Sequence, residues 1–561
     1  MDTGGAANTK HTQSFSPCSR RAFLAGMGGV TAVALKASTG SLLLPARFKG
    51  TEAEAAEVGP VNARRRRHQA FQIRQQAALH QRNLPFPAHP DNGEEQDYPY
   101  LANYSKGLPH NGLGEVEPTA YQALLGALSA GDDAAFESIP LGGVRPLRNP
   151  QAGLAFDLEG PDSHHLAIRP APRIDGPENS SEMAELYWMA LARDVNFSDY
   201  GSISLIADAC TDLSSFSDFR GPKQSGLVTP ATIFRGNTLG DQIGPYLSQF
   251  LLKDIPYGTL TISQRQRTVM SNLDYMTDPD SWWSIQNGAN LGVSDTFDAT
   301  PRYIRNGRDL AAYVHFDALY EAYLNACLIL LGVGAPLDPN NPYLSLTKTD
   351  AFGTFGGPHI LSLVTEVATR ALKAVWYQKW NVHRRLRPEA FGGRVHHHLT
   401  SAAIYPIDSE ILDSEAVQET FSQYGTYLLP QAYPEGSPLH PAYGAGHATV
   451  AGACVTILKA WFDEAFVLPD PIVPSADGTA LVPYAGPGAT SLTVGGELNK
   501  VAANIAFGRN FAGIHWRTDY SESLKLGEAV AIGILRDQKD TYSEDFAGFS
   551  LTTFDGTTIT I

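Results

Sequence analysis

The sequence predicts a mainly α protein: two helix bundles forming one large domain, with long loops and minor β. Three observations carry this. Long windows of the second half place apolar residues at helical spacing, as in Ile360, Leu361, Val364, Val367, Ala368, Leu372 and Val375. Strand signals are confined to short stretches inside 140–180 and 464–495. No repeat, low-complexity run or clear linker divides the 561 residues, and a composition of 43% hydrophobic and 18% charged residues buries a sizeable core.

The chain opens on an address. Ser19-Arg20-Arg21-Ala22-Phe23-Leu24 is a twin-arginine pattern, and the mild apolar run that follows to Leu35 is too short to span a bilayer. The expectation is a twin-arginine signal and pro-region over 1–56, cut between Ala37 and Ala56, for export of a folded bacterial protein to the periplasm or beyond. The helical domain then occupies 57–561. Helices are expected at 63–81, opened by the solvated Arg64 to Arg67 run, and then at 118–130, 181–193, 203–210, 243–252 and 263–275. Further helices are expected over 308–331, from Pro358 to Trp376, from Val450, at 497–510 and at 520–535. Residues 84–111 read as a loop rich in Pro, Gly, Asn and Tyr, and 464–495 as a loop with a small hairpin.

The net charge of −16 argues against nucleic acid and against an anionic membrane surface as partner. Cys18, Cys210, Cys327 and Cys454 make neither a disulfide framework nor a metal cluster. Cys454 falls on the apolar face of its helix, with Val450, Ile457, Leu458 and Trp461, and reads as a buried small hydrophobe.

An acidic chain that binds an anion must gather its cations locally, and three segments do so. The first is Lys379-Trp380-Asn381-Val382-His383-Arg384-Arg385-Leu386-Arg387-Pro388, in which Pro388 holds Arg387 extended. The second is the turn His440-Pro441-Ala442-Tyr443-Gly444-Ala445-Gly446-His447, which places His447 at a helix start where free N–H groups favour an anion. The third runs from Arg509 through Gly513 and His515 to Asp519. Asp519 and Glu522 read as a capping box, and Asp519 also stands four residues from His515, where it can orient the ring. Trp376 shares a helical face with Lys379 and is either core packing or the wall of a pocket. His396-His397-His398 reads as a surface turn, since three consecutive side chains cannot face one ion. His383 is packing or a supporting group.

Together these segments resemble the vanadium-dependent haloperoxidases, especially the algal and cyanobacterial bromoperoxidases, within the type 2 phosphatidic acid phosphatase-like superfamily. The Lys-x7-Arg-Pro spacing and His440, seven residues before His447, look like the bromoperoxidase type. Arg235-Gly236-Asn237-Thr238, Arg302 to Asp309 and Phe355 to His359 extend the resemblance to roughly residues 65–545. It implies an exported enzyme that oxidises bromide, and also iodide or chloride, with hydrogen peroxide to hypohalous acid that acts on an organic acceptor. It implies vanadate bound by Lys379, Arg387, Ala445, Gly446 and Arg509, with His515 as the vanadium ligand and Asp519 behind it. His447, Lys379 and His440 are then catalytic, and His440 and Trp376 line the halide pocket. Family members form homo-oligomers from dimers to dodecamers, and some carry a structural calcium; the loop with Tyr343 and Asp350 is where such an ion is looked for here. One departure stands out. The family turn carries Ser where this chain has Ala445, which removes a hydrogen bond to the oxyanion of about 1.5–3 kcal/mol. The alternatives are an acid phosphatase with His515 as nucleophile and a non-catalytic anion-binding protein.

Overall fold

The computed structural model describes residues 62–561; the expected signal and pro-region, Cys18 and the cleavage point lie outside the described residues. From Arg67 onward the chain packs as one unit. Its longer helices, numbered in chain order, are α1 (Ala63–Asn83), α2 (Pro118–Ala130), α3 (Pro177–Leu191), α4 (Ser204–Ser215), α5 (Gly307–Phe316), α6 (Glu321–Gly332), α7 (Gly357–Tyr377), α8 (Pro388–Leu399), α9 (Gly446–Lys459), α10 (Val494–Phe511) and α11 (Arg517–Lys539). Three two-stranded antiparallel hairpins complete it, among them β1 (Ile255–Tyr257) with β2 (Leu260–Ile262) and β3 (Ile472–Pro474) with β4 (Leu481–Pro483). The mainly α expectation with minor β holds.

Helix α9 is the centre. It was expected to be amphipathic, but every residue from Gly446 to Lys459 except His447 is buried. A helix apolar on all sides belongs inside a bundle, and α9 is packed against α7, α10 and α11. Its approach to α11 is set by small residues: a side chain at Gly452 would strike the Leu524 carbonyl, and one at Gly527 the Thr449 carbonyl. This contact fixes the start of α9, which carries His447, against the start of α11, which follows His515.

Several local expectations fail for identifiable reasons. The helix expected over 243–252 is a short 3-10 turn at Gln249–Leu251. Gly244 takes φ 73° there, and its carbonyl accepts from Arg235 Nη2. Residues 263–275 are not helical, because their backbone bridges Arg302, Phe297 and Gln431 instead. The helix expected over 308–331 is two, α5 and α6, bent by 100° at a break that leaves Asp317 extended. Residues 140–180 hold 3-10 turns and no strand. His396 to His398 form the last turn of α8 rather than a surface turn, with His396 buried. Asp519 is the third residue of α11, not its cap: its carboxylate accepts from the Trp516 N–H at 3.1 Å, while Glu522 pairs with Arg169.

Candidate functional site

Lys379 leaves the regular helix. It stands in a π-helical segment, Gln378–His383, that follows α7 and ends at Arg384 in a left-handed conformation; such wide turns often re-aim functional side chains. Arg387 is extended, and Pro388 opens α8, as a proline at a first helical turn does. Arg509 lies in the last turn of α10.

The three cations are buried, at 0, 1 and 8% exposure for Lys379, Arg387 and Arg509. Lys379 Nζ donates to the carbonyls of Pro441 and Ala442 at 2.8 and 3.0 Å. Arg387 donates to the carbonyls of His440 and Ile514, and its Nη1 reaches His515 Nε2 at 3.0 Å. Arg509 Nη1 donates to the Val314 carbonyl at 2.6 Å, and its buried Nε has no partner. None of the three forms an ion pair with a carboxylate among the described residues. Burial, and then the neighbouring Arg387, drives the Lys379 ammonium well down; burial holds the Arg387 guanidinium down at about 10. Buried charges left unpaired cost several kcal/mol each, which an anion between them would offset.

The imidazoles are poised around these cations. Burial, then Arg387, Lys379, Arg509 and His440, push His515 well below its ordinary range, so it is neutral. Its Nδ1–H donates to Asp519 Oδ2 at 2.6 Å, which leaves the Nε2 lone pair to accept from Arg387 Nη1. Asp519 Oδ1 accepts from Arg385, which also pairs with Glu182. His440 is neutral as well, held down by burial and then by Lys379 and Arg387. Because a guanidinium only donates, His440 Nδ1 accepts from Arg387 Nη2 at 2.9 Å.

His447, at the start of α9, is 16% exposed, and its Nε2–H donates to Asp317 Oδ1 at 3.0 Å. Burial lowers its pKa and Asp317 opposes that. Gly446 opens the helix, so its N–H has no partner inside it. Trp376 is only half-buried: its ring lies 4.8 Å from that of His440, and a side chain added to Gly446 would come within 3.2 Å of it. It therefore walls the site rather than filling the core.

The structure thus brings together Lys379, Arg387, Arg509, His440, Trp376, Ala445, Gly446, His447, His515 and Asp519. Three contributors carried no signal in the sequence. Asp317 orients His447, and Tyr433 receives Arg509 over its ring at 5.4 Å. Ser523 of α11 accepts the Ala445 N–H at 2.8 Å, placing a hydroxyl beside the turn that lacks its own. His383 lies against Tyr443. Near the expected calcium loop, Tyr343 Oη donates to Glu544 at 2.8 Å and the Asp350 carboxylate caps Ala351; no cluster of three or more His, Cys, Asp or Glu side chains placed for a metal ion occurs among the described residues.

Fold and site define a helical-bundle protein that gathers three buried cations without carboxylate partners around a neutral histidine. Residues 359–543 match the family model of the VCPO second helical-bundle domain. A vanadium-dependent bromoperoxidase of Corallina officinalis is 41% identical over 557 residues, covering 84% of this chain and 92% of that one. One of Ascophyllum nodosum is 35% identical over 480 residues, covering 81% and 85%. The homohexameric structure of a second vanadate-dependent bromoperoxidase of Ascophyllum nodosum superposes with a TM-score of 0.86 at 30% identity, over 92% of this chain and 94% of that one. The chain belongs to the vanadium-dependent bromoperoxidase family.

Proposed function

We propose that this protein is a vanadate-dependent bromoperoxidase that oxidises bromide with hydrogen peroxide to hypobromous acid. The observation that carries the reading is the set of three buried cations without a carboxylate partner around His515, whose Nε2 carries no proton and accepts from Arg387 Nη1 at 3.0 Å. Lys379, Arg387 and Arg509 hold vanadate by charge and hydrogen bonds, with the Gly446 N–H as a further donor. His515 would offer Nε2 as the vanadium ligand, with Asp519 keeping the proton on Nδ1 and the Arg387 N–H that Nε2 accepts here turning to the vanadate oxygens instead. Bound there, vanadate supplies a Lewis acid that activates hydrogen peroxide toward halide without a change of oxidation state.

His447 is neutral at rest, and Asp317 holds its proton on Nε2, so Nδ1 would serve as the base for a proton of hydrogen peroxide. His440 and Trp376 form the halide side, where the half-buried indole excludes water. Iodide, and chloride more weakly, are also accepted. The protein is exported by the twin-arginine route and assembles as a homo-oligomer; the solved relative is a homohexamer.

Vanadium-stripped protein assayed with bromide, hydrogen peroxide and a phenolic acceptor is inactive and regains turnover with orthovanadate. Phosphate ester hydrolysis that orthovanadate inhibits, without bromide-dependent turnover, overturns the reading in favour of a phosphatase with His515 as nucleophile.

A further inference from the structure

A second cavity shares no residue with the oxyanion cage. Its volume is about 480 Å³, within the range of small-molecule sites. One wall is the parallel pair Phe197 and Tyr246, stacked at 3.9 Å and 11°. Tyr200 meets Phe197 edge-on at 5.6 Å, and four prolines supply further rigid apolar faces. Such walls favour a flat ring over a flexible chain.

The polar groups are few and of one sign. Among the described residues, Arg235 and Arg305 are the only charged ones that line the cavity, with no carboxylate among them, in a chain of net charge −16. Arg305 is neutralised by Asp309 at 2.8 Å. Arg235 forms no ion pair within 4 Å among the described residues: its guanidinium donates to the main-chain carbonyls of Asp241 and Gly244, and the buried Asp241 carboxylate, outside the cavity lining, offsets its charge only at longer range. Beside it, the Tyr200 hydroxyl is buried at 4% exposure for the residue and has no hydrogen-bond partner. A buried hydroxyl left unpaired is costly and points to a missing acceptor. Burial drives this phenol far above its ordinary range, with Arg235 pulling weakly the other way, so it stays a donor at every working pH.

We propose that this cavity binds a planar aromatic carboxylate, its ring against the Phe197–Tyr246 wall and its carboxylate taken by Tyr200 Oη and Arg235. The requirement is an anion on a flat ring: a neutral alcohol on the same ring lacks the charge that Arg235 calls for, and a saturated ring acid lacks the flat face.

The probe is 2-naphthoate, titrated calorimetrically into vanadate-saturated enzyme so that the oxyanion cage is already filled. One molecule binds per chain, and 2-naphthalenemethanol and cyclohexanecarboxylate bind at least about tenfold more weakly. Tyr200→Phe weakens naphthoate by about tenfold, since it removes one hydrogen bond to a charged acceptor. Ala231→Trp, at the exposed mouth, blocks binding. Both variants keep the bromide-oxidising rate. Absence of saturable binding overturns the proposal, as does unaltered naphthoate affinity in both variants. So does a change in oligomer size in Ala231→Trp without loss of naphthoate binding, which would make the cavity a seat for a neighbouring subunit.

Discussion

Asp317 Oδ1 lies 3.0 Å from His447 Nε2, joining two residues 130 positions apart. The break between α5 and α6 exists where Asp317 turns toward the start of α9. Removing the carboxylate frees the imidazole to rotate and to exchange tautomers. Asp317→Ala is expected to lower kcat by about 10- to 100-fold, the usual cost of losing a group that orients a histidine. Asp317 also holds the His447 pKa up against burial. Without it the neutral, proton-accepting form persists to lower pH, so the acidic limb of the kcat profile moves down. A limb that stays in place would remove His447 from the role of base.

Lys379 is fully buried; its ammonium donates to two main-chain carbonyls, lies 5.7 Å from the centre of the Trp376 ring and has no carboxylate partner among the described residues. Orthovanadate at 100 times its Kd should stabilise the parent by about 2.7 kcal/mol, read as a rise in Tm. Lys379→Met should weaken vanadate binding by about 10- to 100-fold, while the vanadate-free variant is at least as stable as the parent, because an unpaired buried charge is gone. Loss of stability in the vanadate-free state would show that the ammonium serves the fold.

What the sequence made legible follows how local each feature is. The helix Pro118–Ala130 was read to the residue because both ends are punctuated, by Pro118 in the first turn and by Gly131 in a left-handed cap. The cations and histidines of the cage were legible because each lies in a short segment of fixed spacing. Residues 263–275 were misread because their partners, Phe297, Arg302 and Gln431, are distant in the chain. Asp317 and Ser523 escaped for the same reason: each acts on a residue 130 or 78 positions away. Trp376 was ambiguous until its exposure and its contact with His440 were known.

Ala445 caps α9, is buried, and gives its N–H to Ser523 Oγ at 2.8 Å. Ala445→Ser adds a hydroxyl to the turn that faces the cations, and should tighten vanadate binding about tenfold. Equilibrium dialysis checks this; an unaltered Kd would mean that Ser523 already fills the need or that the turn faces away.

Glu94 predicts a pH effect on stability outside the cage. It is 3% exposed and accepts from the Ile174 N–H and from Asn92 Nδ2. Burial raises its pKa from 4.5 to about 7. A carboxyl raised in the fold contributes stability that is present below about 4.5 and lost as pH rises through about 7, a change of up to about 3 kcal/mol. Glu94→Gln keeps an acceptor and removes the titration, so its stability relative to the parent should increase between pH 5 and pH 8 in urea denaturation. A constant difference across that range would contradict the assignment.

The central claim is that His515 Nε2, ringed by Lys379, Arg387 and Arg509, binds the vanadium. X-ray absorption at the vanadium edge tests it most directly, on parent and His515→Ala protein loaded with orthovanadate. The account predicts one nitrogen neighbour of vanadium in the parent, none in the variant, and loss of bromide oxidation with it. The same nitrogen signal in His515→Ala, or its absence from an active parent, would contradict the account.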